Sequence, residues 1–384
     1  MNGPPRFALP SPWPQAALGL FALGVLAAAA GIVQSPLRAW SNLLLGEVYI
    51  LCLALAGALF ISIHHVSGAG WSAVLRRVPE AMMSVLPVAA LLVLPLFLGR
   101  HVLYAHAGLH RTDPAKAAYL STPLVAARTV AVLAAWVLMA RTLRRTSLRQ
   151  DVAPGLSGHH RLVKHSAIFL VVFAVTLSLA SVDWLMALDP HWASTVFAVY
   201  VFAGLLVSGI AALTLIVILL RWSGHLGGIV RAAHLHDLGK LLLTFTTFWA
   251  YIWLSQYLLI WYSNLPEEAT YYARRTAAPW TSAFLLNLVL NWAIPFVVLL
   301  PRAAKRSARV LGGVCALLLV GHWLDLYLLI MPETMEVPVF GPLELLLPLG
   351  YAGLFVYLTA RALAAAPLVP LGDPRLEESL RHET

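Results

Sequence analysis

Ten apolar stretches, each about twenty residues long and separated by short polar connections, run through this chain. A helix rises about 1.5 Å per residue, so roughly 20 apolar residues cross a hydrocarbon core about 30 Å thick. The stretches fall near residues 15–33, 45–64, 80–99, 124–142, 166–186, 195–220, 240–262, 280–300, 309–331 and 341–366. They are continuous, without alternation of period two, and a backbone in lipid needs its hydrogen-bond partners within its own segment. Each therefore reads as a helix. The expected fold is an all-α integral membrane protein of about ten transmembrane helices. A cytoplasmic N-terminal segment (1–14) precedes a single polytopic membrane domain (15–366), and a polar cytoplasmic tail (367–384) follows it and is expected to be solvated.

Composition agrees. With 60% hydrophobic and 11% charged residues, a soluble globule would lack the polar surface to cover itself. The formal charge of +9 would otherwise suggest nucleic acid, but 19 of the 26 Lys and Arg residues lie on one side of the alternating connections, among them Arg141, Arg144, Arg145 and Arg149. That bias marks the cytoplasmic side and places both termini there, with no nucleic-acid partner expected. The first apolar run has no small-residue cleavage site after it and reads as a retained helix. Cys52 and Cys315 lie far apart within spans, so no disulfide, thiolate cluster or metal site is expected.

Charge inside a bilayer costs about 2.5–3.5 kcal/mol per central residue, so each buried acid or base needs a partner or a task. His322 and Asp325 are three apart on one helix face, and an imidazole beside a carboxylate can accept and pass a proton near neutral pH. Asp183, Glu47, Arg100, His101 and Arg128 lie toward the same, outer side and could join them in one polar cluster. Such a cluster would suit a quinol headgroup, whose oxidation releases protons that need bases and an exit to water, with His322 and Asp325 as first choices. The same charges could equally pair with one another or, with Glu344, at the interface.

On the inner side His64, His65, Glu80, Lys164, His165, Asp237 and Lys240 could form the mouth of a proton half-channel or be solvated helix ends. At mid-membrane depth Thr244, Thr246, Thr247, Ser255 and Gln256, with Asn287 and Asn291 four apart on one face, could hold a water chain or bond helix to helix. Pro87, Pro95 and Pro295 each delete a backbone donor within a span and can kink it. Two longer connections, 100–123 with His101, His106 and His110 and 263–279 with Glu267, Glu268, Arg274 and Arg275, are expected on the outer face. Trp261, Tyr262, Tyr271, Tyr272 and Trp280 are expected as interfacial anchors.

Three longer strings go further. The run from Asp237 to Glu268, with Trp249, Tyr251, Trp253, Ser255, Gln256, Tyr257, Trp261, Asn264 and Pro266, resembles a membrane subunit of the bacterial alternative complex III. So do the stretches from His65 to Trp71 and from Ser178 to Trp184. The likeness is nearly full-length and is to the second of that complex's two related membrane subunits (quinone-binding subunit 2, ActF type), within the polysulfide-reductase-type (NrfD-like) superfamily. The resemblance implies two four-helix bundles plus peripheral helices, in a respiratory complex that oxidises quinol or menaquinol and reduces cytochrome c or an oxidase. It implies a sister NrfD-like membrane subunit, an iron–sulfur protein and multihaem cytochrome c as partners, with haem c and iron–sulfur clusters carried by those partners and none in this chain. The sister subunit beside the iron–sulfur protein is the better candidate for oxidising quinol, leaving this chain quinol contacts, a proton pathway or scaffolding. From the residues alone, a proton-coupled secondary transporter and a purely structural anchor stay open.

Overall fold

The computed structural model describes Phe7, residues 12–104 and residues 113–383. His106 and His110, and all but four residues of the expected N-terminal segment, lie outside the described residues. Each of the ten expected spans is a helix or a closely broken one: α1 Trp13–Gln34, α2 Pro36–Val66, α3 Arg77–Phe97, α4 Thr122–Val152, α5 Leu156–Leu188, α6 Phe197–Trp222, α7 Ala232–Ser263, α8 Thr281–Leu299, α9 Ala308–Thr334 and α10 Pro342–Ala364. Among the described residues no strand occurs. Nine of these helices are long and apolar enough to cross a membrane. The exception is α7, whose Thr, Trp, Tyr, Ser and Gln side chains leave it less apolar over its 32 residues. The chain is thus an all-α integral membrane protein of about ten helices.

Helices α2–α5 pack as one four-helix bundle and α6–α9 as a second. The seam is α2 against α6 and α9, with α5 also touching α6. A helix apolar on every face belongs inside such an assembly, and α2 is buried on nearly all of its surface. Helices α1 and α10 form a pair on the flank of the first bundle, against α2 and α3. Their backbones meet at two glycines: a Cβ on Gly24 would lie 3.2 Å from the Gly350 Cα and 3.1 Å from the Leu346 carbonyl. Small residues are what permit helix axes in lipid to approach so closely.

Pro87, Pro95 and Pro295 coincide with breaks, whereas Pro332 and Pro348 lie inside the unbroken α9 and α10. Helix α3 is interrupted into Arg77–Met83, Leu86–Leu92 and a 3-10 turn Leu94–Phe97, with Pro87 and Pro95 at the restarts. Helix α8 holds a π turn at Val289–Ala293 just before Pro295. Buried Lys305 closes α8 by donating to the Leu299 and Leu300 carbonyls at 2.6 and 2.8 Å. Burial, with Lys240 as a smaller influence, lowers the pKa of its ammonium.

Two expectations need correction. The C-terminal tail is not solvated. Asp373 and Ser379 are buried, Asp373 pairs with Arg76, Arg375 donates to the Gly68 carbonyl, and His382 meets Asp237 at 2.5 Å. The tail thus lies across one end of both bundles, where α2 finishes and α7 begins, because these contacts satisfy backbone and charged groups that the helix ends leave open. Burial pushes the Arg76 guanidinium down to about 10. Nor are the aromatics after α7 all interfacial. Trp261 and Tyr262 are exposed, but Tyr271 and Tyr272, on the helix Pro266–Thr276, and Trp280 after it are buried. Tyr271 stacks on Trp192 with ring centroids 4.0 Å apart, and the Arg275 guanidinium carbon lies 3.4 Å from the Tyr271 ring centroid.

Candidate functional site

In the second bundle, four helices converge on one carboxyl group. Asp325 on α9 is 4% exposed. Its Oδ1 accepts from Asn287 Nδ2 on α8 at 2.7 Å and from the Tyr200 hydroxyl on α6 in a short contact, and its Oδ2 accepts from Trp249 Nε1 on α7 at 3.2 Å. A carboxyl group can sit in a protein interior only when its lone pairs are met in this way. Asn291, one turn from Asn287, donates to Asn287 Oδ1 at 2.6 Å, so the two asparagines form a polar stripe that ends on Asp325. The π turn begins between them.

His322 lies beside this group without being bonded to it. Its Nδ1 is 3.8 Å from Asp325 Oδ2, too far for a hydrogen bond, and neither buried ring nitrogen has a hydrogen-bond partner. The ring stands edge-on to Trp249 at 5.6 Å. Both residues line a cavity bounded also by Tyr49, Cys52, Gly204 and Ser208 at the seam between the bundles. An acid held by three donors, an unsatisfied imidazole and space beside them make an arrangement that can take up, hold and hand on a proton.

The other outer candidates do not join this group; the expected single cluster is two separate sets. Asp183 is bound by Arg128 through both oxygens at 2.7 and 2.9 Å, and Arg128 also covers the Tyr119 ring at 3.9 Å. Arg100, buried, donates to the Leu120 carbonyl at 2.7 Å, and burial lowers its pKa. Glu47 accepts from the Tyr351 hydroxyl on α10 at 2.7 Å. His101, next to Arg100 in the chain, is exposed. These groups lie in the first bundle and on its α10 flank, while Asp325 points among α6, α7 and α8, so the seam divides them. Glu344 pairs with Arg38 instead.

The inner candidates also split. Glu80 is buried in a network with Arg77, Ser147 and Asp151, its bond from Arg77 being 2.5 Å. His65 meets Ser166 at 3.0 Å and faces the His159 ring at 6.3 Å, whereas His64 bonds its own helix at the Phe60 carbonyl at 2.7 Å. Asp237 is held by Lys240 at 2.5 Å and by His382. Lys164 is exposed and His165 half-buried. Of the mid-membrane residues, Gln256 is buried beside Tyr272, but Thr247 is exposed and bonds back to the Leu243 carbonyl at 2.9 Å. It is therefore not part of the polar stripe.

Several partners had no mark in the sequence as site residues. Tyr200 and Tyr351 reach their carboxylates from positions 125 and 304 residues away. Glu333 is paired by both Arg274 and Arg275, the latter at 2.8 Å, which ties the Pro266–Thr276 helix to the end of α9. Among the described residues no group of three or more His, Cys, Asp or Glu side chains is placed to hold a metal ion. Compared with models of protein families and with curated proteins, the chain matches none.

Proposed function

We propose that this chain is an integral membrane subunit of a respiratory quinol-oxidising complex, and that its own contribution is a proton-holding site centred on Asp325. Electrons pass in this reading to cytochrome c or an oxidase through iron–sulfur and haem centres of partner subunits, beside a sister membrane subunit. The membrane is the bacterial inner membrane, with both termini on its cytoplasmic side. The long strings around Trp249, His65 and Asp183 support the assignment to the complex. The single observation that carries the proton role is the meeting of Tyr200, Trp249 and Asn287 on Asp325, with the unbonded His322 ring beside it.

The chemistry is that of a relay. Three fixed donors stabilise the ionised carboxyl, and protonation replaces one accepted bond with a donated one. His322 can receive the proton through Nδ1 after a small movement or through water in the adjoining cavity. The Asn287–Asn291 stripe continues the path along α8.

Purification tests the complex: co-isolation of a multihaem cytochrome and an iron–sulfur protein supports it, and a solitary chain defeats it. For the site, Asp325→Asn and His322→Phe are expected to assemble and to slow coupled turnover by about tenfold or more. Normal coupled turnover in both variants defeats the proton role.

The interrupted helices α3 and α8 favour a second reading, a proton-coupled transporter whose broken helices border the substrate site. Saturable binding of a solute by the isolated chain would select it.

A further inference from the structure

The hairpin of α4 and α5 ends in a band of positive charge that the proton site does not use. Its two helices are antiparallel neighbours: Trp136 donates to Thr176 Oγ1 at 2.8 Å, and Gln150 packs on Gly158. That register sets Arg145 level with Lys164, and Arg149 level with Arg161. With Arg141 one turn before Arg145, five cations occupy the outward stripes of the two helices, and all five are exposed.

Among the described residues none of the five has an ion-pair partner, and Arg161 bonds only its own helix, at the Ser157 carbonyl. Between residues 141 and 168 the one carboxylate is Asp151, which is taken by Arg77. Arg144 behaves differently, for it turns inward to Ser84 and the Ala362 carbonyl. Like charges one helical turn apart repel, so Arg141, Arg145 and Arg149 call for a negative group from outside the chain.

Depth selects that group. Helix α4 has 31 residues and α5, as far as Trp184, has 29. Each is therefore about 45 Å long, roughly 15 Å more than the hydrocarbon core, and its charged end reaches the headgroup layer. The outward stripe of α5 is aliphatic at Val175, Val171 and Ile168, and Lys164 follows one turn on; on α4, Leu138 precedes Arg141 in the same way. A face that passes from aliphatic to cationic within one turn matches a lipid leaflet where acyl chains meet phosphates. A soluble anion would use the cations alone, whereas an anionic lipid uses both parts of the face.

We propose that the outward faces of α4 and α5 bind an anionic phospholipid, its phosphodiester held between Arg145 and Lys164 with Arg141 and Arg161 on either side, and its acyl chains lying along Leu138, Ile168 and Val171. This requires only that the chain spans a membrane and is independent of the respiratory role.

The test is native mass spectrometry of the full chain in detergent, titrated with phosphatidylglycerol or with phosphatidylcholine of the same acyl chains. The first phosphatidylglycerol is expected to bind at least about tenfold more tightly, since each basic residue near an anionic headgroup contributes about fivefold. Combining Arg141→Gln, Arg145→Gln and Lys164→Gln is expected to erase that preference. Combining Arg302→Gln, Arg306→Gln and Arg309→Gln, which removes the same charge from the connection between α8 and α9, is expected to keep it. Melting temperatures verify that both variants are folded. Equal loss in the two triple variants, equal affinity for the two lipids, or competition by free glycerol phosphate at the lipid's own concentrations overturns the proposal. A photoreactive group on Ile168→Cys, the native cysteines being buried, is expected to label lipid in native membranes. Labelling of another polypeptide in its place would assign the face to a protein and overturn the proposal too.

Discussion

Asn287 on α8 donates to Asp325 on α9 at 2.7 Å, and Asn291 donates in turn to Asn287 at 2.6 Å, so the orientation of one amide sets that of the next. With its Oδ1 accepting from Asn291, Asn287 turns its NH2 group to the carboxyl. The π turn Val289–Ala293 starts between the two asparagines and includes Asn291.

Replacing Asn287 by Leu removes a donor from a buried acid and takes away the side-chain acceptor of Asn291, which keeps only the residue-287 backbone carbonyl, 3.1 Å away. A loss of about 1–3 kcal/mol in stability is expected, measured by denaturation in detergent, together with slowed coupled turnover. Full stability in Asn287→Leu would mean that Tyr200 and Trp249, with or without water, suffice for Asp325.

Gly321 sits where a Cβ would come within 2.5 Å of Asn291 Oδ1. Gly321→Ala is therefore expected to push Asn291 off Asn287 and cost about 1–3 kcal/mol, as overpacking does. The signature that separates this from a general packing defect is recovery in Gly321→Ala combined with Asn291→Ala, read from the melting temperature.

Arg128 and Asp183 hold each other through two bonds in a largely buried setting. Removing one partner of such a pair typically costs about 3–5 kcal/mol, because the other charge is left behind. Arg128→Met and Asp183→Leu are each expected to destabilise the fold, and the double variant to be more stable than either single one. Additive losses in the three measured stabilities would show that the two groups do not act as a pair.

The C-terminal tail joins the bundles at one end: Asp373 pairs with Arg76, Ser379 accepts from Val74 N at 3.2 Å, and His382 meets Asp237 on α7. Deleting residues 373–384 is expected to lower the melting temperature and to raise amide hydrogen exchange in the Gly70–Leu75 turn and the start of α7. Unchanged exchange at both places would show that the tail adds nothing to the closure.

How much of this could be read from the chain depends on distance along it. The His322–Asp325 neighbourhood and the Asn287–Asn291 stripe were legible because residues three and four apart share a helix face whatever surrounds the helix. Tyr200 and Trp249 were not legible as partners of Asp325, since each comes from another helix and no spacing rule links them. The expected outer cluster failed for the same reason: Glu47, Asp183 and Asp325 all lie toward one side of the membrane, but membrane depth says nothing about which bundle a residue faces. Thr247 shows the limit within one helix, for a hydroxyl that bonds its own backbone needs no polar neighbour.

The sequence by itself determined that this is a polytopic helical membrane protein, where its helices run and which acids and bases lie within them, because length and apolarity suffice to place a segment in lipid and depend on no other part of the chain. Only the tertiary structure decided which of those groups meet. It put Asp325 among three donors, left His322 and one oxygen of Glu47 without partners, separated the two by the seam, and folded a polar tail back over the bundles. Those outcomes follow from helix packing, in which side chains hundreds of residues apart compete for the few positions where a buried hydrogen bond can be completed.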